Sequence, residues 1–117
     1  MQPTAEDVLE LVEKKKDILT IVEGKWDKIA LQDLGFTNIV MCERLALYKV
    51  VELVEKGSCV QILTDLDAEG KKIYARLNSD FKQRGVYVDN ELRELLFKTQ
   101  LRQIEGIVSY LKPKNRP

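Results

Sequence analysis

The stretch Cys59-Val60-Gln61-Ile62-Leu63-Thr64 runs directly into Asp65-Leu66-Asp67-Ala68-Glu69-Gly70, and this join decides the fold. The first half is short, apolar and β-branched, which suits a strand covered by helices on both faces, as in parallel sheets. The second half is acidic and ends in a glycine. Ile73, Leu77 and Phe81 then follow at helical spacing, and Gly85 closes that helix. A strand that hands over to a helix through a carboxylate-rich turn is one unit of an α/β sheet.

The same unit recurs on either side. Residues 18–22 form an apolar run that stops at Glu23-Gly24-Lys25, followed by Ile29, Ala30, Leu31 and Leu34 on one helical stripe with Gly35 after it. Residues 38–42 predict a second strand, and Leu47, Val50, Val51 and Val54 a helix ending at Lys56-Gly57. Residues 86–88 predict a short fourth strand. From Glu91 to Leu111 the spacing is helical in two pieces, with Leu92, Leu95, Leu96, Ile104, Ile107 and Leu111 on the apolar face. Ahead of all this, Thr4 caps a helix carrying Glu6 and Asp7 in its first turn and Lys14-Lys15-Lys16 at its basic end. The prediction is a compact, Rossmann-like α/β domain with about four parallel strands and helices on both faces. One domain, 1–117, accounts for the whole chain.

Composition narrows the chemistry. The 117 residues are 44% hydrophobic and 32% charged, as expected of a globular protein, with 19 basic and 19 acidic side chains in balance. No apolar run approaches the roughly 18–20 residues of a membrane span, and the N-terminus lacks the order of a secretory signal, so a cytoplasmic protein is expected. There is no histidine. Ser-His-Asp and Cys-His catalysis and His-ligated metals are therefore excluded, leaving carboxylates, lysines, arginines and tyrosines. Cys42 and Cys59 lack metal-site spacing and are expected to be buried free thiols. Tyr48, Tyr74, Tyr87 and Tyr110 are expected at the core or its boundary, and the basic tail 112–116 as a solvated end.

In open α/β sheets, ligands bind beyond the carboxyl ends of the strands. Two strands here end in acids: the first at Glu23, the third at Asp65 and Asp67. Brought to one mouth, three carboxylates repel by about 1–4 kcal/mol per pair unless a cation intervenes. Oxygen-only ligands suit magnesium, which can orient a phosphate and offset charge developing on it. Gly24 and Gly70 are expected to open turns and helix N-termini to phosphate, and Lys25 and Lys71 to add positive charge. An EF-hand is excluded because its twelfth position would fall on Arg76 and a strand precedes the loop. Trp26 is expected to cover the start of the second helix; stacking on a base is the other use of an indole there.

Taken together, strand–Glu23-Gly24-Lys25–helix followed by strand–Asp65-x-Asp67-x-x-Gly70–helix resembles the Toprim domain. That domain is shared by topoisomerases of types IA and II, bacterial-type primases and the ribonuclease that matures 5S ribosomal RNA. Glu23-Gly24-Lys25-x-Asp27-x-x-Ala30-Leu31 is most similar to that ribonuclease and to small stand-alone prokaryotic Toprim proteins. The core motifs span 18–88, and the C-terminal helices at 90–111 also match the stand-alone group. The resemblance implies Glu23 as general acid or base, assisted by Lys25, and Mg2+ held by Glu23, Asp65 and Asp67, with Asp27 and Glu69 in support. It implies action on nucleic-acid phosphodiesters, RNA favoured over DNA, with RNA-processing proteins as partners and no membrane. A non-cleaving nucleic-acid-binding module and a small-nucleotide phosphotransferase are the alternatives. Lysines and arginines clustered around the acids (Lys25, Lys28, Lys71, Lys72, Arg76) would favour nucleic acid; an acidic surround would favour a free nucleotide. The loop Cys42-Glu43-Arg44 departs from the family's small glycine-containing turn, and Lys71 stands where type IA topoisomerases carry an acid.

Overall fold

A computed structural model describes residues 2–43 and 45–112. Four parallel strands, β1 (Leu19–Val22), β2 (Ile39–Met41), β3 (Cys59–Ile62) and β4 (Tyr87–Val88), stand in the order β2-β1-β3-β4. Helices α1 (Ala5–Lys15), α2 (Lys25–Asp33), α3 (Leu47–Glu52), α4 (Ala68–Arg84), α5 (Glu91–Phe97) and α6 (Ile107–Leu111) surround them, with a 3-10 turn at Ile104–Gly106. The α/β class and the helix-flanked parallel sheet are as expected. No helix among the described residues is long and apolar enough to cross a membrane.

Alternation along the strands divides the core in two. Val22 and Leu63 face a cluster built from Val8 and Val12 of α1, Leu31 of α2, Leu92 and Leu96 of α5, and Ile107 of α6. Ile21, Val60 and Ile62 face the opposite cluster, with Val50 and Val51 of α3 and Leu77 and Phe81 of α4. Because successive strand residues point to opposite faces, both layers of helices are needed to dry the sheet.

Polar side chains inside this sheet bond to one another and to backbone, although the Gln61 Oε1 atom has no partner among the described residues. Thr20 and Gln61 sit opposite one another across β1 and β3. Gln61 Nε2 donates to Thr20 Oγ1 at 3.0 Å and to the Lys15 carbonyl at 2.8 Å, which satisfies the end of α1. Lys15 Nζ in turn binds Asp89 and Glu91, both at 2.8 Å, and ties α1 to the far edge of the sheet. Thr4 caps α1 in a reciprocal box with Asp7, as predicted.

Several expectations are corrected. Cys42 is buried, but Cys59 is exposed, because it is the first residue of β3 and projects beyond the helical cover. Tyr87 is 67% and Tyr48 53% exposed, so neither belongs to the core. The C-terminal stretch is less helical than its spacing suggests: 98–103 leave the helix after Thr99 Oγ1 bonds the Leu96 carbonyl and accepts from Leu101 N. Arg44 and the tail from 113 onward lie outside the described residues.

Burial should govern tolerance to truncation. Leu63→Ala, at a fully buried position, is expected to cost about 2–5 kcal/mol in urea unfolding, while Leu53→Ala, 63% exposed, is expected to stay within about 0.5 kcal/mol.

Candidate active site

The order β2-β1-β3-β4 places the reversal of strand order between β1 and β3. Their carboxyl ends part there to leave a cleft, as in other open α/β sheets. Glu23 follows β1 and Asp65 lies just beyond β3. Glu23 Oε2 accepts from the Asp65 backbone N–H at 2.8 Å, so the two strand ends are joined by one hydrogen bond. Of the three acids expected to meet at one mouth, Glu23 and Asp65 do meet, and Asp67 stands beside them.

The remaining acids are fixed by backbone amides. Asp65 Oδ1 accepts from Ile104 N at 2.8 Å. Asp67 caps α4, accepting from Gly70 N at 2.9 Å, and Asp27 accepts from Gly24 N at 3.1 Å. The Gly24 and Gly70 amides expected to greet a phosphate are thus already used by carboxylates. Gly24 has ordinary extended backbone, and its missing side chain is not required by a turn. Gly70 is different. A Cβ there would stand 1.9 Å from the Asp65 carbonyl oxygen, so only glycine lets α4 begin this close to the acid loop.

The cleft has a volume of about 310 Å³ and is lined by Glu23, Gly24, Asp27, Cys42, Glu43, Leu47, Asp65, Ile73 and Glu105. Five of these are acids, and no described lysine or arginine lines it. Lys25 Nζ lies instead over the Trp26 ring at 5.6 Å, Lys71 Nζ over the Phe97 ring at 5.5 Å, and Arg76 pairs with Asp80 at 3.0 Å. Among the described residues, no member of the expected basic cluster lines the cleft. Asp67 and Glu69 stand beside the cleft rather than in its wall.

Electrostatics follow from this crowding. Burial raises the Glu23 carboxyl above the usual range, and the Asp65, Asp67 and Glu69 charges push it further against the favourable Asp65 N–H bond. Asp65 is raised chiefly by burial, with Asp67 and Glu105 adding to it while Ile104 N and Arg93 oppose. Burial, then the Asp65 charge, carries Asp27 up to about 6. The Cys42 thiol, buried beside Glu23, is pushed up to about 11 and stays protonated at neutral pH, which removes it as a nucleophile.

Two supports of the site went unread in the sequence. Arg93 of α5 is 4% exposed and donates to the carbonyls of Ile62 at 3.2 Å, Thr64 at 2.7 Å and Asp65 at 3.1 Å, with its guanidinium 4.5 Å from the Tyr74 ring centre. It sets the end of β3, and hence Asp65. The 3-10 turn at Ile104 supplies the amide for Asp65 and carries Glu105 into the cleft wall. Arg93 sits in a helical stripe that gave no sign of an inward cation, and an amide donor leaves no mark in a side-chain pattern.

Relatives show the family. A UPF0292 protein of Methanocaldococcus jannaschii is 30% identical over 119 aligned positions covering 93% of each chain. Another, of Pyrococcus abyssi, is 36% identical over 88 residues, 74% of this chain and 67% of that one. The chain belongs to the UPF0292 family. No family model matches it. A solved structure, a putative protein from Aquifex aeolicus, superposes with a TM-score of 0.78 at 27% identity over 86% of this chain and 95% of the other. For this UPF0292 chain the likeness to that solved structure shows the fold, and the chemistry rests on the cleft.

Among the described residues no group of three or more His, Cys, Asp or Glu side chains is already arranged to hold a metal ion. The reason is visible: Asp67 spends one oxygen capping α4 and stands outside the cleft wall. Glu23 and Asp65 each spend one oxygen on a backbone amide and keep the other. An oxygen-only donor set with unbalanced negative charge fits a hard dication that retains several waters.

The raised acids should appear in stability. Between the ordinary Asp value of 3.8 and about 6, the folded chain holds a proton on Asp27 that the unfolded chain has released, so stability falls as pH rises through that window. Asp27→Asn keeps the acceptor for Gly24 N and is expected to remove about 3 kcal/mol or less of that fall, read from urea midpoints at pH 4 and pH 7. An unchanged pH slope would show that Asp27 titrates normally.

Proposed function

We propose that this protein is a magnesium-dependent Toprim enzyme that cleaves nucleic-acid phosphodiesters, with RNA favoured over DNA. The observation that carries this reading is the Glu23–Asp65 hydrogen bond at the reversal of strand order, which gathers acids separated in sequence into one cleft. Glu23 and Asp65 would hold the cation, with Asp67 adding charge or giving up its cap to join them. Bound there, the ion would draw a phosphate into an acid-lined cleft and offset charge developing on it. Glu23, raised by burial and by its acidic neighbours, is suited to proton transfer. Lys25, on the turn after β1, would steer the phosphate, and Asp27 would keep the Gly24 turn in place. The protein would act in the cytoplasm, alone or with RNA-processing proteins.

The acidic lining supports a second reading, phosphoryl transfer on a small nucleotide, because no described cationic side chain lines the cleft to hold a polyanion. A non-cleaving module that docks on RNA through the same cation is the third.

One assay separates them: structured RNA, single-stranded DNA and a nucleoside triphosphate, each with magnesium or with EDTA. Glu23→Gln retains an acceptor for Asp65 N, so the fold should survive. The expected result is magnesium-dependent strand cleavage that falls about 100- to 10,000-fold in Glu23→Gln while binding persists. Hydrolysis of the triphosphate alone would favour the small-nucleotide reading, and binding without cutting by either protein would favour the module.

A further inference from the structure

The acid cleft presents a physical problem for its own substrate. A polyanion brought to five carboxylates gains nothing from the described wall beyond a bound cation, so most of its affinity has to come from outside the cleft. The neighbouring surface offers a source.

A groove of about 580 Å³ lies beside the cleft, lined by Trp26, Ile29, Ala30, Gln32, Asp33, Glu105 and Val108. That volume falls within the roughly 300–1,000 Å³ typical of small-ligand sites. Two features make it continuous with the acids. Glu105 lines both depressions, and the adjacent residues Trp26 and Asp27, in the first turn of α2, contribute to one each. Trp26 is 65% exposed, contrary to the expectation that it covers the helix start, and Ile29 beside it is 43% exposed. An indole left this open, in the residue before Asp27, offers aromatic surface on which a flat ring can stack. Lys25 Nζ, 5.6 Å over that ring, puts positive charge at the groove's border.

We propose that this groove binds an unpaired nucleobase, stacked on Trp26, of the same strand whose phosphate enters the acid cleft. The inference rests on the phosphodiester reading above and deepens it: the substrate class becomes single-stranded or looped-out nucleic acid. The lining explains the choice of ligand. Asp33 and Glu105 repel phosphate but accept hydrogen bonds from the amino and imino groups on base edges, with Gln32 able to serve either edge. A paired base cannot offer its face to Trp26. Stacking is also indifferent to salt, so binding is expected to depend on ionic strength less steeply than binding through a lysine-lined surface.

Trp26 is the single tryptophan of the chain, so its emission reports on the groove alone. The test titrates the whole protein, in magnesium, with three fluorescein-labelled, cleavage-resistant phosphorothioate octamers (a single strand, the same strand with abasic positions, and its blunt duplex); affinities are read from the label's anisotropy, and tryptophan emission is followed in the unsubstituted protein. The expected result is an emission change with the single strand only, and a single-strand affinity about 5- to 100-fold lower in Trp26→Ala. Trp26→Phe should recover most of that loss, and abasic affinity should be the same in all three proteins. Equal binding of base-bearing and abasic strands with unchanged emission would overturn the groove while leaving the phosphodiester reading intact. Failure of every strand to bind would remove both. Emission that responds to protein concentration without any strand would assign the groove to contact between copies of the chain and overturn the proposal.

Discussion

The Glu23 carboxylate accepting the Asp65 amide at 2.8 Å is the contact on which the site depends. It forms where β1 and β3 lie side by side and their following chains leave in opposite directions, α2 toward one layer and α4 toward the other. A carboxylate bonded to a backbone amide is held in direction as well as in place, and a charge-assisted bond of this kind is stronger than a neutral one. Much of what distinguishes the cleft follows from it: the half-buried acids and the raised carboxyl groups.

Holding an acid at the end of a parallel strand requires that the strand's last carbonyls be satisfied, since β3 has lost its ladder there. Arg93 does this. Burial brings its guanidinium down to about 10, still charged at neutral pH, and its donors go to three backbone carbonyls at the end of β3, those of Ile62, Thr64 and Asp65. A cation whose charge Asp65 feels is thus consumed in shaping the loop that carries the acids. It moderates Asp65 without neutralising the cleft, and the excess negative charge remains. Thr64 Oγ1, donating to the Gly70 carbonyl at 2.7 Å, closes the same loop onto the start of α4.

Much of this was legible in the residues. Dense β-branched runs ending in acids, each followed by a helical stripe, specify covered parallel strands with carboxylates at their tips, because burial on two faces leaves few other arrangements. Glu23 and Asp65 could be paired for that reason alone. What escaped the reading were effects of tertiary placement. Asp67 follows β3 as Asp65 does, yet it serves as a helix cap, a role that depends on where α4 begins. Cys59 and Tyr87 look like core residues and stand at the rim, since a strand's first residues outrun the helices above it. Trp26 gives no sequence sign of exposure, and the amide of Ile104 belongs to a turn that helical spacing had hidden.

The central claim is that acids gathered between β1 and β3 are completed by a divalent cation. Paramagnetic Mn2+ in place of magnesium tests it by selectively broadening NMR signals of nearby backbone amides. Substoichiometric Mn2+ should erase the amide signals of Gly24, Asp65 and Leu66, spare that of Tyr87 at the sheet edge, and lose its effect when magnesium is added in excess. Even broadening across the chain, or broadening centred on other acids such as Glu10 and Glu13 of α1, would contradict the account.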